Sequence, residues 1–126
     1  MNTENIVLDV GQCDPDHASI RRVIEDCGYT LKRIHTGEEA KQALQQGGVA
    51  LVLVNRILDR DGSDGMALIR ELIAIGGAPI MLVSNYPEYQ QKAVEMGAQP
   101  GFGKASLREV GTLELLKKAL RQGSGK

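Results

Sequence analysis

Five short apolar runs alternate with five amphipathic segments along the whole length of the chain, and this alternation limits the possible folds more than any other feature. The runs "VALVLV" and "APIMLVS" have almost no polar face, and "NIVLDV" has little, which suits parallel strands covered by helices on both sides. "YTLKRI" is more polar and "PGFGK" is short and rich in glycine, so both are expected at sheet edges.

Between the runs, apolar residues recur at helical spacing. In "DPDHASIRRVIEDCG" they are Ile20, Val23, Ile24 and Cys27, with Asp14 as a cap, Pro15 in the first turn and Gly28 closing the helix. Thr36 and Glu39 form a capping box ahead of Ala40, Ala43 and Leu44, and Gly47 and Gly48 end that helix. Leu68, Ile69, Leu72 and Ile73 give the third helix its buried stripe, and Tyr89, Ala93 and Met96 mark a fourth that stops at Gly97. Ser106 and Glu109 spell a second capping box before Val110, Leu113, Leu116 and Leu120, after which "GSGK" is expected to fray. Five βα units with right-handed crossovers give an α/β fold: a three-layer α/β/α sandwich on a five-stranded parallel sheet. The expected strand order is the flavodoxin-like 2-1-3-4-5.

A length of 126 residues matches a single domain, expected over residues 1–126 with a core from about 5 to 121. Lys and Arg number 15 against 16 Asp and Glu, so no bulk attraction to nucleic acid or anionic lipid is expected. No run is long enough to span a membrane and "MNTEN" lacks the pattern of a secretory leader, which together predict a cytoplasmic protein. Cys13 and Cys27 do not form a metal-binding or disulfide pattern and are expected to stay reduced.

In open α/β sheets the working groups collect at the carboxyl ends of the strands. Here those ends read "GQCDPD", "NR", "SN" and "KAS" after strands one, three, four and five. With "DGMALIREL" after the third strand, "MGA" before the fifth and Lys104 after it, the order resembles the CheY-like receiver domain of bacterial response regulators, from Ile6 to about Leu120. The resemblance implies an acidic pair after strand one that holds magnesium, and an Asp ending strand three that takes a phosphoryl group from a histidine kinase. It also implies a Ser or Thr after strand four and a Lys after strand five that contact the phosphoryl oxygens. Ser84 and Lys104 match the last two roles, but Asn55 stands at the acceptor position.

The acidic pair is absent in every register. Anchoring on Pro15 places Gln12 and Cys13 there, anchoring on Gly28 places Gly11 and Gln12, and a two-residue loop insertion brings Asp9 with Val10. An amide is a weak nucleophile and a poor ligand for a hard cation, so phosphoryl transfer at Asn55 and magnesium binding are not expected. The loop after Asn55 is two residues longer than the family's common pattern, with Asp59 near the usual proline. Gly101 replaces the aromatic switch residue and Ala105 replaces the proline after the lysine.

The resemblance therefore implies a degenerate, stand-alone pseudo-receiver with no enzymatic activity and no cofactor, working on a protein partner and not on nucleic acid directly. The family's partner face lies on the fourth helix, fifth strand and last helix, where Tyr86 and Tyr89 either contribute or cover the core edge. A second reading is a phosphorylatable receiver using a displaced carboxylate, with Asp9, Asp59 and Asp61 as candidates. A third is an anion or nucleotide sensor at Ser84, Lys104 and the glycine-rich edge, against which Lys104 would simply bond Asn55 or a backbone carbonyl.

Other motifs are weak. "DRDGSDG" spaces Asp59 and Asp61 as in a calcium loop, but Asp64 and Arg70 occupy positions that need Gly and Glu, so a turn-forming loop is expected. "GFGKAS" has the wrong spacing for a P-loop. Cys13 reads as a small packed residue ahead of a redox thiol near Lys104, and His17 and His35 read as solvated surface residues.

Overall fold

The structure, a computed structural model, describes residues 5–123. The expectations for "MNTEN" and for fraying of "GSGK" therefore fall largely outside the described residues, although Gly123 still ends the last helix. Strands β1 (Ile6–Val10), β2 (Thr30–Ile34), β3 (Val49–Asn55), β4 (Ile80–Val83) and β5 (Gln99–Phe102) alternate with helices. These are α1 (Asp14–Asp26), α2 (Gly37–Gln46), α3 (Gly65–Ile75), α4 (Pro87–Met96) and α5 (Val110–Gly123). All pairings are parallel, in the order β2-β1-β3-β4-β5. The sandwich, the strand order and both edge strands are as the sequence predicts.

Burial explains why β3 is apolar throughout. Val52 and Val54 point into a core with Ile69 and Leu72 of α3, while Leu51 and Leu53 point into another with Ile20 and Ile24 of α1 and Leu116 of α5. A strand with no solvent face tolerates a polar side chain only at its end, and that end is Asn55. No helix among the described residues is long and apolar enough to cross a membrane.

Three local expectations meet different outcomes. The capping box of α2 forms, with Thr36 Oγ1 accepting from Glu39 N at 3.2 Å and Glu39 Oε1 accepting from Thr36 N at 3.3 Å. The cap of α1 is Cys13, not Asp14, which is already the first helical residue and leaves Pro15 inside the first turn. No capping box opens α5. Instead Lys104–Ser106 form a 3-10 turn, Glu109 N bonds to Ser106 O, and the helix starts at Val110. That turn changes the direction of the chain before the helix begins, so Val110 lies outside the buried stripe at 72% exposure, and Thr112, Leu116, Ala119 and Leu120 form it.

The β3–α3 loop folds back over the end of β1. Leu58 is buried, its N–H bonds to Ser63 O, and Asp59 N–H donates to Gly11 O at 2.9 Å. Gly11 has φ of 81°, and a Cβ there would collide with Leu58, so only glycine lets the loop lie this close. Leu58→Ala opens a cavity beneath the loop and is expected to lower stability by about 2–4 kcal/mol in urea unfolding.

Candidate functional site

At the carboxyl ends of the strands a small cleft of about 160 Å³ brings together Asn55, Ser84 and Lys104, as the sequence predicts, with Arg56, Asn85 and Tyr86 on its walls. Asn55 does not turn its amide nitrogen into the cleft. Its Nδ2 donates to Gly11 O at 3.0 Å and to Ile57 O at 2.7 Å, joining the end of β1 to the loop after β3. Both partners are acceptors, so the position is built for a donor. Ser84 is buried and its Oγ accepts from Tyr86 N at 3.2 Å.

Lys104 bonds neither Asn55 nor a backbone carbonyl. Its Nζ lies 2.7 Å from Oδ2 of Asp16, on the first turn of α1, which also accepts from Cys13 Sγ at 3.1 Å. Burial opposes ionisation of Asp16, but the bonds from Lys104 and Cys13 outweigh it and hold the carboxyl below its ordinary range. The cation that the resemblance assigns to a phosphoryl group is thus neutralised by a carboxylate of the same chain. Cys13 meets Lys104 only through this shared acid.

The candidate carboxylates lie apart from the cleft walls. Asp9 is fully buried on the face of β1 covered by α1, and its Oδ2 lies 2.6 Å from His17 Nδ1. His17 is therefore not a solvated surface residue: one turn into α1, its ring reaches inward to the strand, and 15% of its side chain stays exposed. Burial pushes the Asp9 carboxyl up to about 6 against the pull of His17, Arg33 and, more weakly, Gln12. Gln12 is itself buried, and neither of its amide atoms has a partner of ordinary hydrogen-bond geometry. Arg33 ties β2 to this corner through Gln12 O at 3.0 Å and Asp14 Oδ1 at 2.6 Å.

Asp59 and Asp61 are exposed on the loop. Asp61 accepts from both N and Oγ of Ser63, bonds that hold its carboxyl low, and Asp64 caps α3 through Met66 N. Two of the loop's three carboxylates, those of Asp61 and Asp64, thus brace its own turns, in line with the turn-forming expectation. Among the described residues no three His, Cys, Asp or Glu side chains are grouped to hold a metal. The donors around the cleft do not fit magnesium: Asn55 presents N–H groups to carbonyls, Gln12 and Cys13 are neutral, and Asp16 is committed to Lys104.

A second device lies between α4 and β5. The Gln90 Nε2 group lies within 3.0–3.2 Å of Leu82 O, Ser84 O and Phe102 O, and its Oε1 accepts from Gly101 N at 3.1 Å. A Cβ at Gly101 would run into Leu82 O and Gln90 Oε1, and one at Gly103 into Asn85, whose Oδ1 accepts from Ala105 N. Where the resemblance expects an aromatic switch, two glycines admit two side-chain amides that pin β5 to β4. Sequence reasoning passed over Gln90, Leu58 and Asp16. The available signals were the paired glycines of "GFG" and a single leucine inside a charged loop.

No family model matches the chain, and no curated protein does. Solved structures do. The BeF3-activated N-terminal receiver domain of Klebsiella pneumoniae RstA superposes with a TM-score of 0.79 over 94% of this chain and 100% of its own, at 24% identity. The fold is that of receiver domains. The N-terminal domain of a Carboxydothermus hydrogenoformans response regulator/sensory box/GGDEF protein gives 0.75 at 22% identity, over 93% of this chain and 94% of that one. The receiver domain of Brucella abortus NtrX gives 0.71 at 20% identity, over 96% and 99%. On this receiver fold the rebuilt strand ends carry the distinctive chemistry.

Two measurements probe these clusters. Asp9 holds its proton more tightly folded than unfolded, so its contribution to stability is full below pH 3.8 and is lost as pH rises through about 6. Relative to Asp9→Asn, the wild type is expected to lose up to about 3 kcal/mol across that window in pH-dependent urea unfolding. Gln90→Ala leaves buried backbone groups unpaired and should cost about 1–3 kcal/mol, with faster hydrogen exchange at the Gly101 amide as its local signature.

Proposed function

We propose that this chain is a receiver-fold docking module in bacterial two-component signalling, which binds a protein partner without being phosphorylated at position 55. One observation carries the reading: the Asn55 amide donates to two carbonyl oxygens. A carboxylate in that place would turn acceptor oxygens toward both carbonyls, removing the donor from Ile57 O and leaving Gly11 O with the Asp59 N–H alone, so the position favours the neutral residue over the nucleophile. The attachment of Lys104 to Asp16 supports the same reading, because it occupies the charge that a phosphoryl group would need.

The partner face in this reading is formed by α4, β5 and α5, where a groove of about 550 Å³ runs past Gln90, Phe102, Glu109, Thr112 and Leu115. The Gln90 clamp holds that face in one arrangement, so binding there needs no signal from the cleft. The displaced-carboxylate reading has less support, since Asp9 is paired with His17, Asp61 is bonded to Ser63, and Asp59 is exposed on the loop and is not among the residues lining the cleft. The anion-sensor reading lacks a free cation at Lys104.

Incubation with acetyl phosphate and magnesium, followed by intact-mass measurement, is expected to leave the wild-type mass unchanged. A stoichiometric phosphoryl adduct that disappears when a single carboxylate is replaced by its amide would overturn the proposal. Asn55→Asp is expected to lower stability by about 1–3 kcal/mol and still to yield no adduct, because Gln12 and Cys13 supply no ligands for the cation.

A further inference from the structure

A further concavity lies apart from the α4–β5–α5 face. It is a groove of about 650 Å³ between α3 and α4. Its floor is apolar and adaptable, with Met66 and Met96 at its sides and the Tyr89 ring and Ile57, itself 42% exposed, beside them. Three cations, Arg56, Arg70 and Lys92, stand along it.

The way these cations are held is the informative feature. The Arg56 guanidinium lies 4.6 Å from the centre of the Tyr89 ring and 5.6 Å from that of Tyr86, and the Lys92 ammonium lies 5.7 Å from Tyr89. Arg70 donates to the Met96 sulfur at 3.5 Å. Aromatic faces and a thioether fix the positions of these groups without cancelling their charge. Among the described residues none of the three is ion-paired; Arg60 and Lys117 are not either, and what sets the three apart is that ring faces and a sulfur hold them along one apolar groove. Two carboxylates also line the groove, Asp64 bonding Met66 N and Glu95 Oε2 lying 3.4 Å from Gln91 Nε2, so the three cations leave it with an excess of one positive charge.

We propose that the groove between α3 and α4 docks an acidic peptide segment of a partner protein, with an apolar side chain seated between Met66 and Met96 and flanking carboxylates on Arg56, Arg70 and Lys92. Pre-positioned, unneutralised cations beside an apolar floor favour that ligand over a basic or a purely apolar one, because each carboxylate gains a charge-assisted bond to a group already held in place. This site adds to the docking reading of the previous section and rests on it only in requiring a protein partner. It lies on a different surface and is independent of phosphorylation.

The test is selection of peptides from a random phage-displayed library against the full chain, followed by affinity measurement on the selected peptides. Enriched peptides are expected to carry Asp or Glu around an apolar residue and to bind Arg70→Glu/Lys92→Glu at least about tenfold more weakly than wild type. Both positions are solvent-exposed, so the variant keeps the fold, which circular dichroism verifies. Failure to enrich acidic peptides, or equal binding by the variant, overturns the proposal. Peptides lost on Glu109→Arg but unaffected by the groove variant also overturn it, while leaving the α4–β5–α5 reading intact. Binding of a mixed-sequence single-stranded oligonucleotide that only the groove variant abolishes would reassign the cations to nucleic acid.

Discussion

The carboxyl end of this sheet depends on a single amide. Asn55 ends a strand that is buried on both faces, and its Nδ2 joins Gly11 O to Ile57 O, so this group ties together the termini of β1 and β3 and the following loop. Everything nearby is arranged to fit that bond. Gly11 adopts a positive φ and carries no Cβ, Leu58 packs against it, and Asp59 donates its N–H to the same carbonyl. A donor at this point serves two carbonyl acceptors at once, which an ionised carboxylate has no means of doing.

The surrounding charges have been redistributed to match. In a site made for a phosphoryl group a lysine would wait for an anion, but here Asp16 supplies one permanently from the first turn of α1. Asp9, a fully buried acid on the α1 face of β1, lies beside His17 and Arg33 in a corner where burial dominates its titration. Every buried side-chain polar atom without a partner among the described residues belongs to Asp9, Gln12 or Arg33. The end of β1 thus carries the electrostatic cost of the rearrangement, while the cleft itself is locally satisfied.

The same principle of substitution by amides operates at the edge strand. With no side chain at Gly101 and Gly103, Gln90 reaches the backbone of β4 and β5 and Asn85 reaches the turn that follows β5. Local hydrogen bonds hold the edge strand to its neighbour at this point. The α3–α4 groove, by contrast, keeps its cations positioned on rings and a sulfur, with their charge still available.

Much of this was legible from residue order alone. The layered fold, the strand order, both edges and the α2 capping box follow from periodicity and from where polar residues interrupt apolar runs, which are local properties of a chain, and the resemblance implied that Asn55, Ser84 and Lys104 share a cleft. Cysteine as the cap of α1, the 3-10 turn before α5, the Lys104–Asp16 pair, the buried His17 and the Gln90 clamp were decided only on folding. Each joins groups whose separation depends on how helices are rotated and set against the sheet, and spacing along one segment does not encode the distance between side chains on two.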